Sequence, residues 1–250
     1  MRSTTYAPGF VEVTGTPDAT VPAMPTSIAV FGAGGRAGRP IVAEAAARGH
    51  RVVAVVRDPA RHPGLATPNV SVVAGDARDP ASAREAAADC AAVVSAVTPF
   101  TAPPPSFDGF DTAWYARVAD ALLAAKPPRL IVVGLFATLR TRPDGPRVLD
   151  DPALFPPSLR PFALAHAAGL QRLTESDADW LLLAPPPGLS AEAPPTGTYR
   201  LGDDTAEDQD TPLAYADLAR AVLDQIDHPT RHRRQTAVHA AAPDHPIAPA

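Results

Sequence analysis

The stretch Ser27-Ile-Ala-Val-Phe-Gly-Ala-Gly-Gly-Arg-Ala-Gly38 constrains this chain more than any other, because an apolar strand runs straight into a glycine-rich turn and then into an alanine-rich helix. Gly32, Gly35 and Gly38 permit a tight strand-to-helix turn, close approach of backbone to a pyrophosphate, and close packing of the helix on the sheet. Backbone N–H groups and the helix dipole then face the anion. Glycine spacing alone is weak, but the context is present: Ile28 to Phe31 as strand before it and Ile41 to Arg48 as helix after it. The pattern predicts a dinucleotide site whose phosphate turn runs through Gly32, Gly34, Gly35, Arg36, Ala37 and Gly38.

The next strand, Arg51-Val-Val-Ala-Val-Val-Arg57, ends where a site for NAD usually carries an acid for the ribose hydroxyl. Arg57 stands there instead, and a guanidinium suits the 2′-phosphate of NADP, with Arg36 closing from the other side. NADPH is therefore favoured over NADH. Asp58 keeps NADH open, since a shift of one residue puts an acid on the ribose, and an Arg57–Asp58 surface pair is the bland alternative.

A chain of 250 residues with 46% hydrophobic content can bury a substantial core, most simply as one α/β domain with ragged ends. The net charge of −5 argues against a general nucleic-acid surface, and the basic run Arg231-His-Arg-Arg234 reads as a solvated turn before a last strand. Cys90, the single cysteine, forms no internal disulfide and reads as a small buried residue, which fits a cytoplasmic location. No stretch approaches the roughly 18 apolar residues of a membrane span. Residues 1–26 read as a flexible extension without a secretory signal, with Met24 an alternative start to Met1, and residues 241–250 read as a frayed tail.

Between these ends, strand and helix signals alternate. Strands fall at Val52–Val56, Val70–Ala74, Ala92–Val97 and Arg129–Gly134, and helices at Ala81–Ala88 and Phe110–Ala125. Repeated β-α-β with right-handed crossovers builds a doubly wound parallel sheet of Rossmann type, with ligands beyond the strand carboxyl ends. Asp76, Ala77, Ala96, Val97, Gly134 and Thr138 all follow strands and are expected to border the cofactor crevice. The region of about 140–240 is expected to cap that crevice as a small substrate part: a loop from Thr141 to Pro157, a helix Pro161–Ser176, strands Trp180–Ala184, Gly197–Gly202 and Gln235–His239, and a helix Tyr215–Ile226. Specificity is expected in the loops after Thr98, Thr138 and Pro185.

These residues resemble the atypical short-chain dehydrogenase/reductase group, in particular the NmrA-like or NAD(P)H-binding branch that includes biliverdin reductase B-like flavin reductases. The resemblance spans Thr26 to His239. Its carriers are Gly-Ala-Gly-Gly-Arg-Ala-Gly at 32–38, Val-Val-Arg-Asp-Pro at 55–59, Gly-Asp-Ala-Arg-Asp at 75–79, Leu130-Ile-Val-Val-Gly134, Asp179-Trp180 followed by Pro185-Pro186, and Thr196-Gly-Thr-Tyr-Arg-Leu-Gly202 with Tyr215-Ala-Asp-Leu-Ala219. Gly34 stands where that branch usually has threonine. By this similarity Gly32, Gly35, Arg36, Gly38, Arg57, Asp76 and Ala96 contact the cofactor.

The larger reductase family protonates its substrate with a Tyr-x-x-x-Lys pair after the fifth strand, and this chain has none. Lys126 is its only lysine, it precedes that strand, and none of Tyr6, Tyr115, Tyr199 or Tyr215 has a lysine four residues on. Phe162 and His166 occupy the corresponding spacing, so His166 is a candidate proton donor or ribose contact, with a packed helix histidine as the plainer reading. Tyr115 and Thr138 are weaker catalytic candidates, and a core contact is the favoured reading of Tyr115. No metal site is expected, because Pro229 disfavours placing His228 and His232 on one helical face.

Two classes of function fit. One is an NADPH-dependent oxidoreductase acting on a small conjugated, flavin, quinone or carbonyl acceptor, with a proton from water or His166. The other is non-redox: a nucleotide sensor of the NmrA kind, or an isomerase or cyclase reusing the pocket. The expected partner is a small-molecule substrate, with neither nucleic acid nor membrane, in a monomer or homodimer.

Overall fold

The computed structural model describes residues 24–100, 102, 104–207 and 211–241, so nearly all of the expected N-terminal extension and C-terminal tail lies outside the described residues. The glycine turn joins strand β1 (Ser27–Phe31) to helix α1 (Gly38–Ala47), and the chain continues through β2 (Arg51–Val56), β3 (Val70–Ala74), α2 (Pro80–Ala87), β4 (Ala92–Ser95), α3 (Trp114–Ala124) and β5 (Leu130–Val133). The second half carries α4 (Arg160–Thr174), β6 (Trp180–Ala184), the short strands β7 (Leu189–Ser190), β8 (Tyr199–Leu201) and β9 (Leu213–Ala214), then α5 (Tyr215–Asp227) and β10 (Arg234–Ala240).

Among the described residues the main sheet runs β3-β2-β1-β4-β5-β6-β10-β8, parallel throughout except for β8, which pairs antiparallel with β10. The order reverses between β1 and β4, which opens a crevice beyond their carboxyl ends. Helices α1 and α5 pack together on one face, and α2, α3 and α4 on the other. The central strands are buried on both sides, hence their near-continuous Val, Ile, Leu and Ala composition. Ile28, Val30, Ile41 and Leu218 fill the core on one side, and Phe31, Val93, Leu122 and Leu182 on the other.

Local chemistry sets the element ends. Pro80 opens α2, and the Asp79 carboxylate accepts from the N–H groups of Ala81 and Ser82 at 3.0 and 3.3 Å. Arg48, just past α1, binds Glu44, Asp224 and Asp227 at 2.7, 2.7 and 2.9 Å, which ties α1 to α5.

Two boundaries differ from those expected. Helix α3 begins at Trp114 rather than Phe110, because the Asp111 carboxylate closes a turn on the Ala113 N–H at 3.0 Å. Strand β4 ends at Ser95 rather than Val97. Ala96 still donates to the Phe31 carbonyl at 2.9 Å before the chain passes over the glycine turn.

The stretch expected as a plain loop from Thr141 to Pro157 is packed instead. Short 3-10 turns at Phe136–Thr138, Val148–Asp150 and Pro157–Leu159 bury Val148, Leu149 and Phe155 against Ala163 and Ala167 of α4. Among the described residues no helix is long and apolar enough to cross a membrane.

Candidate functional site

The glycine turn is forced by its surroundings. Gly32 has φ +77°, and a Cβ there would lie 2.6 Å from the Ala96 carbonyl oxygen and 3.0 Å from Val97 Cα, so the chain just past β4 presses directly on the turn. A Cβ on Gly38 would collide with the Gly32 carbonyl, which fixes how closely α1 docks. A Cβ on Gly35 would meet the Gly32 oxygen at 3.1 Å and the Ala96 oxygen at 4.0 Å, a looser setting than at Gly32 or Gly38.

The first turn of α1 has no side-chain cap, and the N–H groups of Arg36, Ala37 and Gly38 donate to no acceptor among the described residues. Such orphan donors at a helix N-terminus form an anion site. The residues present therefore fit a dinucleotide pyrophosphate. They also fit an extra phosphate: Arg36 and Arg57 are exposed and make no ion pair or hydrogen bond among the described residues.

Asp58 does not pair with Arg57. Its carboxylate caps the 3-10 turn Pro59–Arg61, with Oδ1 accepting from the Ala60 N–H at 3.1 Å. Asp76 is held by Arg78 through bonds of 3.1 and 2.7 Å, and these hold its carboxyl below the usual range. Its N–H donates to Ser82 Oγ at 3.0 Å.

Three expected crevice residues belong to packing. Ala77 is buried in the core under α2 and α3 because its methyl points inward. Gly134 is buried, a Cβ there would strike Leu182, and its N–H is spent on the Leu183 carbonyl at 2.8 Å, so its glycine serves the sheet. Thr138, 2% exposed, shares Oγ1 between the Leu135 carbonyl (2.7 Å) and Gln235 Oε1 (2.6 Å), while Gln235 Nε2 donates back to the Thr138 carbonyl at 3.2 Å. That hydroxyl is not available for catalysis.

His166 and Tyr115 meet face to face, with ring centroids 3.7 Å apart and planes inclined by 31°. Burial pushes the imidazole from its ordinary 6.5 down to about 3, so at neutral pH it is uncharged and not an acid. Burial also raises the Tyr115 phenol well above its usual range, although its hydrogen bond to Thr98 opposes the shift. Both side chains are buried, as the plainer packing reading of each expects. Both floor an aromatic cluster in which Phe162 lies 5.4 Å from Phe100, 5.1 Å from Phe107 and 5.7 Å from Phe110. Thr98 and Phe100 follow β4, so this cluster adjoins the crevice.

Sequence reasoning missed this cluster because its rings come from separate loops and helices without periodicity. It also missed Asp217, buried on α5, whose carboxylate accepts from the N–H groups of Thr196 and Gly197 at 3.0 and 2.8 Å and from Thr196 Oγ1 at 3.1 Å. That contact joins the two C-terminal stretches quoted above for the resemblance. Arg39 and His62 were missed as well: Arg39 donates from Nε to the Gly34 carbonyl at 3.1 Å and contacts His62 Nδ1 at 3.2 Å. The basic run 231–234 is a turn at the opposite end of the sheet, where Arg129 donates to the Arg231 carbonyl at 2.7 Å and His232 meets Asp179 at 2.9 Å. Among the described residues no group of three or more His, Cys, Asp or Glu side chains converges as a metal site.

Fold and turn together define a nicotinamide-dinucleotide-binding protein of Rossmann type. Residues 32–229 match the model of the NAD(P)H-binding family, and the chain belongs to that family. It is 31% identical over 220 residues to the uncharacterised protein YwnB of Bacillus subtilis, covering 86% of this chain and 99% of that one. A crystal structure of a candidate NADH-flavin reductase from Streptococcus pneumoniae superposes with a TM-score of 0.72 at 25% identity, covering 86% of this chain and all (100%) of the other. A short-chain dehydrogenase/reductase from Veillonella parvula, solved with NADP, shares the fold with a TM-score of 0.66 at 18% identity, over 88% of this chain and 96% of the other.

Proposed function

We propose that this chain is an NADPH-dependent oxidoreductase that reduces a small conjugated acceptor, of the flavin, quinone or carbonyl kind, without a tyrosine–lysine pair. The observation that carries the reading is the glycine turn: open N–H donors on Arg36, Ala37 and Gly38, with two exposed guanidinium groups, Arg36 and Arg57, on the turn and at the next strand end. Family membership supports the nicotinamide cofactor, and the likeness to the pneumococcal protein supports a flavin-like acceptor. NADPH, rather than the NADH in that protein's name, is favoured by the exposed Arg57 just past the end of β2.

When bound, the reduced nicotinamide supplies a hydride to the acceptor. The chain's part is to bind and orient. The first turn of α1 holds the pyrophosphate, Arg36 and Arg57 grip the 2′-phosphate, and the rings of Phe100, Phe110 and Phe162, inclined to one another by 47° to 74°, offer apolar surface to the acceptor. With His166 neutral and buried and Tyr115 protonated and buried, the proton comes from solvent.

The same burial favours the second reading, a nucleotide sensor or a non-redox enzyme, which needs no acid. Turnover separates the two. Purified protein is mixed with NADPH and, in turn, a flavin, a quinone and a simple carbonyl, while the absorbance of the reduced nicotinamide is followed. Catalytic consumption with at least one acceptor is expected, and tight binding without consumption in any mixture contradicts the oxidoreductase reading.

A further inference from the structure

The place where the chain departs from its branch is residue 34, and the structure fills it with another side chain. A Cβ on Gly34 would collide with Cε1 and Nε2 of His62, so the imidazole lies directly against the phosphate turn in space that a threonine would occupy. Arg39 fixes the ring there. Its guanidinium spans the Gly34 carbonyl (Nε, 3.1 Å) and His62 Nδ1 (Nη2, 3.2 Å), and with Nδ1 accepting from Arg39, the ring N–H falls on Nε2, the edge that faces residue 34.

The loop itself is built to return. Arg57 leaves β2, Asp58 caps the 3-10 turn Pro59–Arg61, and His62 closes that turn by donating its N–H to the Pro59 carbonyl at 2.9 Å. Arg57 and His62 are thus the two ends of one rigid corner. Its first residue stands at the ribose position and its last lies on the glycine turn. Arg36 lies in the same glycine turn, exposed like Arg57, while Asp58 Oδ1 accepts from the Ala60 N–H of the corner.

We propose that His62, seated on Gly34 and braced by Arg39, is a specificity-determining residue that recognises the 2′-phosphate of NADPH. The inference rests on the cofactor reading above and adds to it a residue outside the glycine motif and outside the strand-end arginine. A ribose bearing only a hydroxyl offers this donor no anion, so the ring contributes to NADPH and not to NADH. Glycine at 34 is what admits the ring, which gives the departure from threonine a use.

The test is calorimetric titration of the wild type, His62→Ala and Gly34→Thr with NADPH, NADH and adenosine 2′,5′-bisphosphate. The expected result for His62→Ala is about a tenfold loss of affinity for NADPH and the bisphosphate, with NADH unchanged. Gly34→Thr expels the ring and is expected to lose the same preference, and where it fails to fold His62→Ala carries the test alone. His62→Gln, which keeps an N–H donor, is expected to recover part of the loss. Equal affinities of wild type and His62→Ala for NADPH, or equal losses for NADPH and NADH, overturn the proposal while leaving the cofactor reading intact. A wild type that binds neither nucleotide overturns both.

Discussion

At the carboxyl end of β1 the chain builds a site from backbone, whereas around α3 and α4 it builds one from side chains. In the first region three glycines let main chain approach main chain: Gly32 under the Ala96 carbonyl, Gly38 against Gly32, and Gly35 in a looser setting. In the second, rings from four separate segments converge, and the groups that could have carried protons, His166 and Tyr115, are stacked and buried. The difference teaches that this chain leaves a backbone site with open N–H donors at the glycine turn and commits its nearby titratable rings to packing.

The largest expected effect breaks the first region. Gly32→Ala places a Cβ at 2.6 Å from a carbonyl oxygen on a backbone with φ +77°. NADPH affinity is expected to fall by at least roughly 100-fold, with a stability loss of about 1–3 kcal/mol, read by calorimetry and thermal melting. Gly197→Ala is the control, since Gly197 also has positive φ (+74°) but nothing lies within 4 Å of the added methyl. It is expected to cost about 1 kcal/mol of stability and no affinity.

Next comes Arg57→Asp. Removing a guanidinium that meets a phosphate and adding a carboxylate is expected to reverse the preference for NADPH, with each coenzyme's affinity moving about 10- to 100-fold in opposite directions. An unchanged ratio of NADPH to NADH affinity removes Arg57 from the site.

The second region is sharpened by pH. His166 has its folded value, about 3, below its ordinary value of 6.5, so between these the unfolded chain binds a proton that the folded chain refuses. Stability from this group is full above pH 6.5 and is lost as pH falls toward 3. At pH 5 the loss amounts to about 2 kcal/mol. His166→Phe is expected to flatten that part of the stability profile, measured by denaturant unfolding at pH 7 and pH 5, without changing turnover at pH 7.

The smallest effect belongs to Tyr115→Phe. It removes one hydrogen bond to Thr98, at a cost of about 1 kcal/mol of stability. Turnover is expected to stay within about twofold, and a loss of 100-fold or more would restore Tyr115 as a proton donor.

How much of this was legible follows the same division. The glycine turn, the five leading strands and the crevice at the strand reversal could be read from the sequence, because glycine spacing, apolar runs and alternation are local signals. Ala77, Gly134 and Thr138 lie in packing, because a position after a strand does not say which way a side chain points or, for Gly134, that Leu182 presses on the backbone there. The packing of the stretch 141–157 leaves no local signal, because its small core comes from residues as distant as Val148, Phe155 and Ala167. His62 and Arg39 were invisible for the same reason: the ring reaches Gly34 across 28 residues, and only the fold brings them together.

The most direct test of the central claim is calorimetric titration of the wild-type protein with NADPH and with NADH. The account predicts one site per chain and at least about tenfold tighter binding of NADPH, worth roughly 1.4 kcal/mol. Binding of neither nucleotide, or tighter binding of NADH, would contradict it.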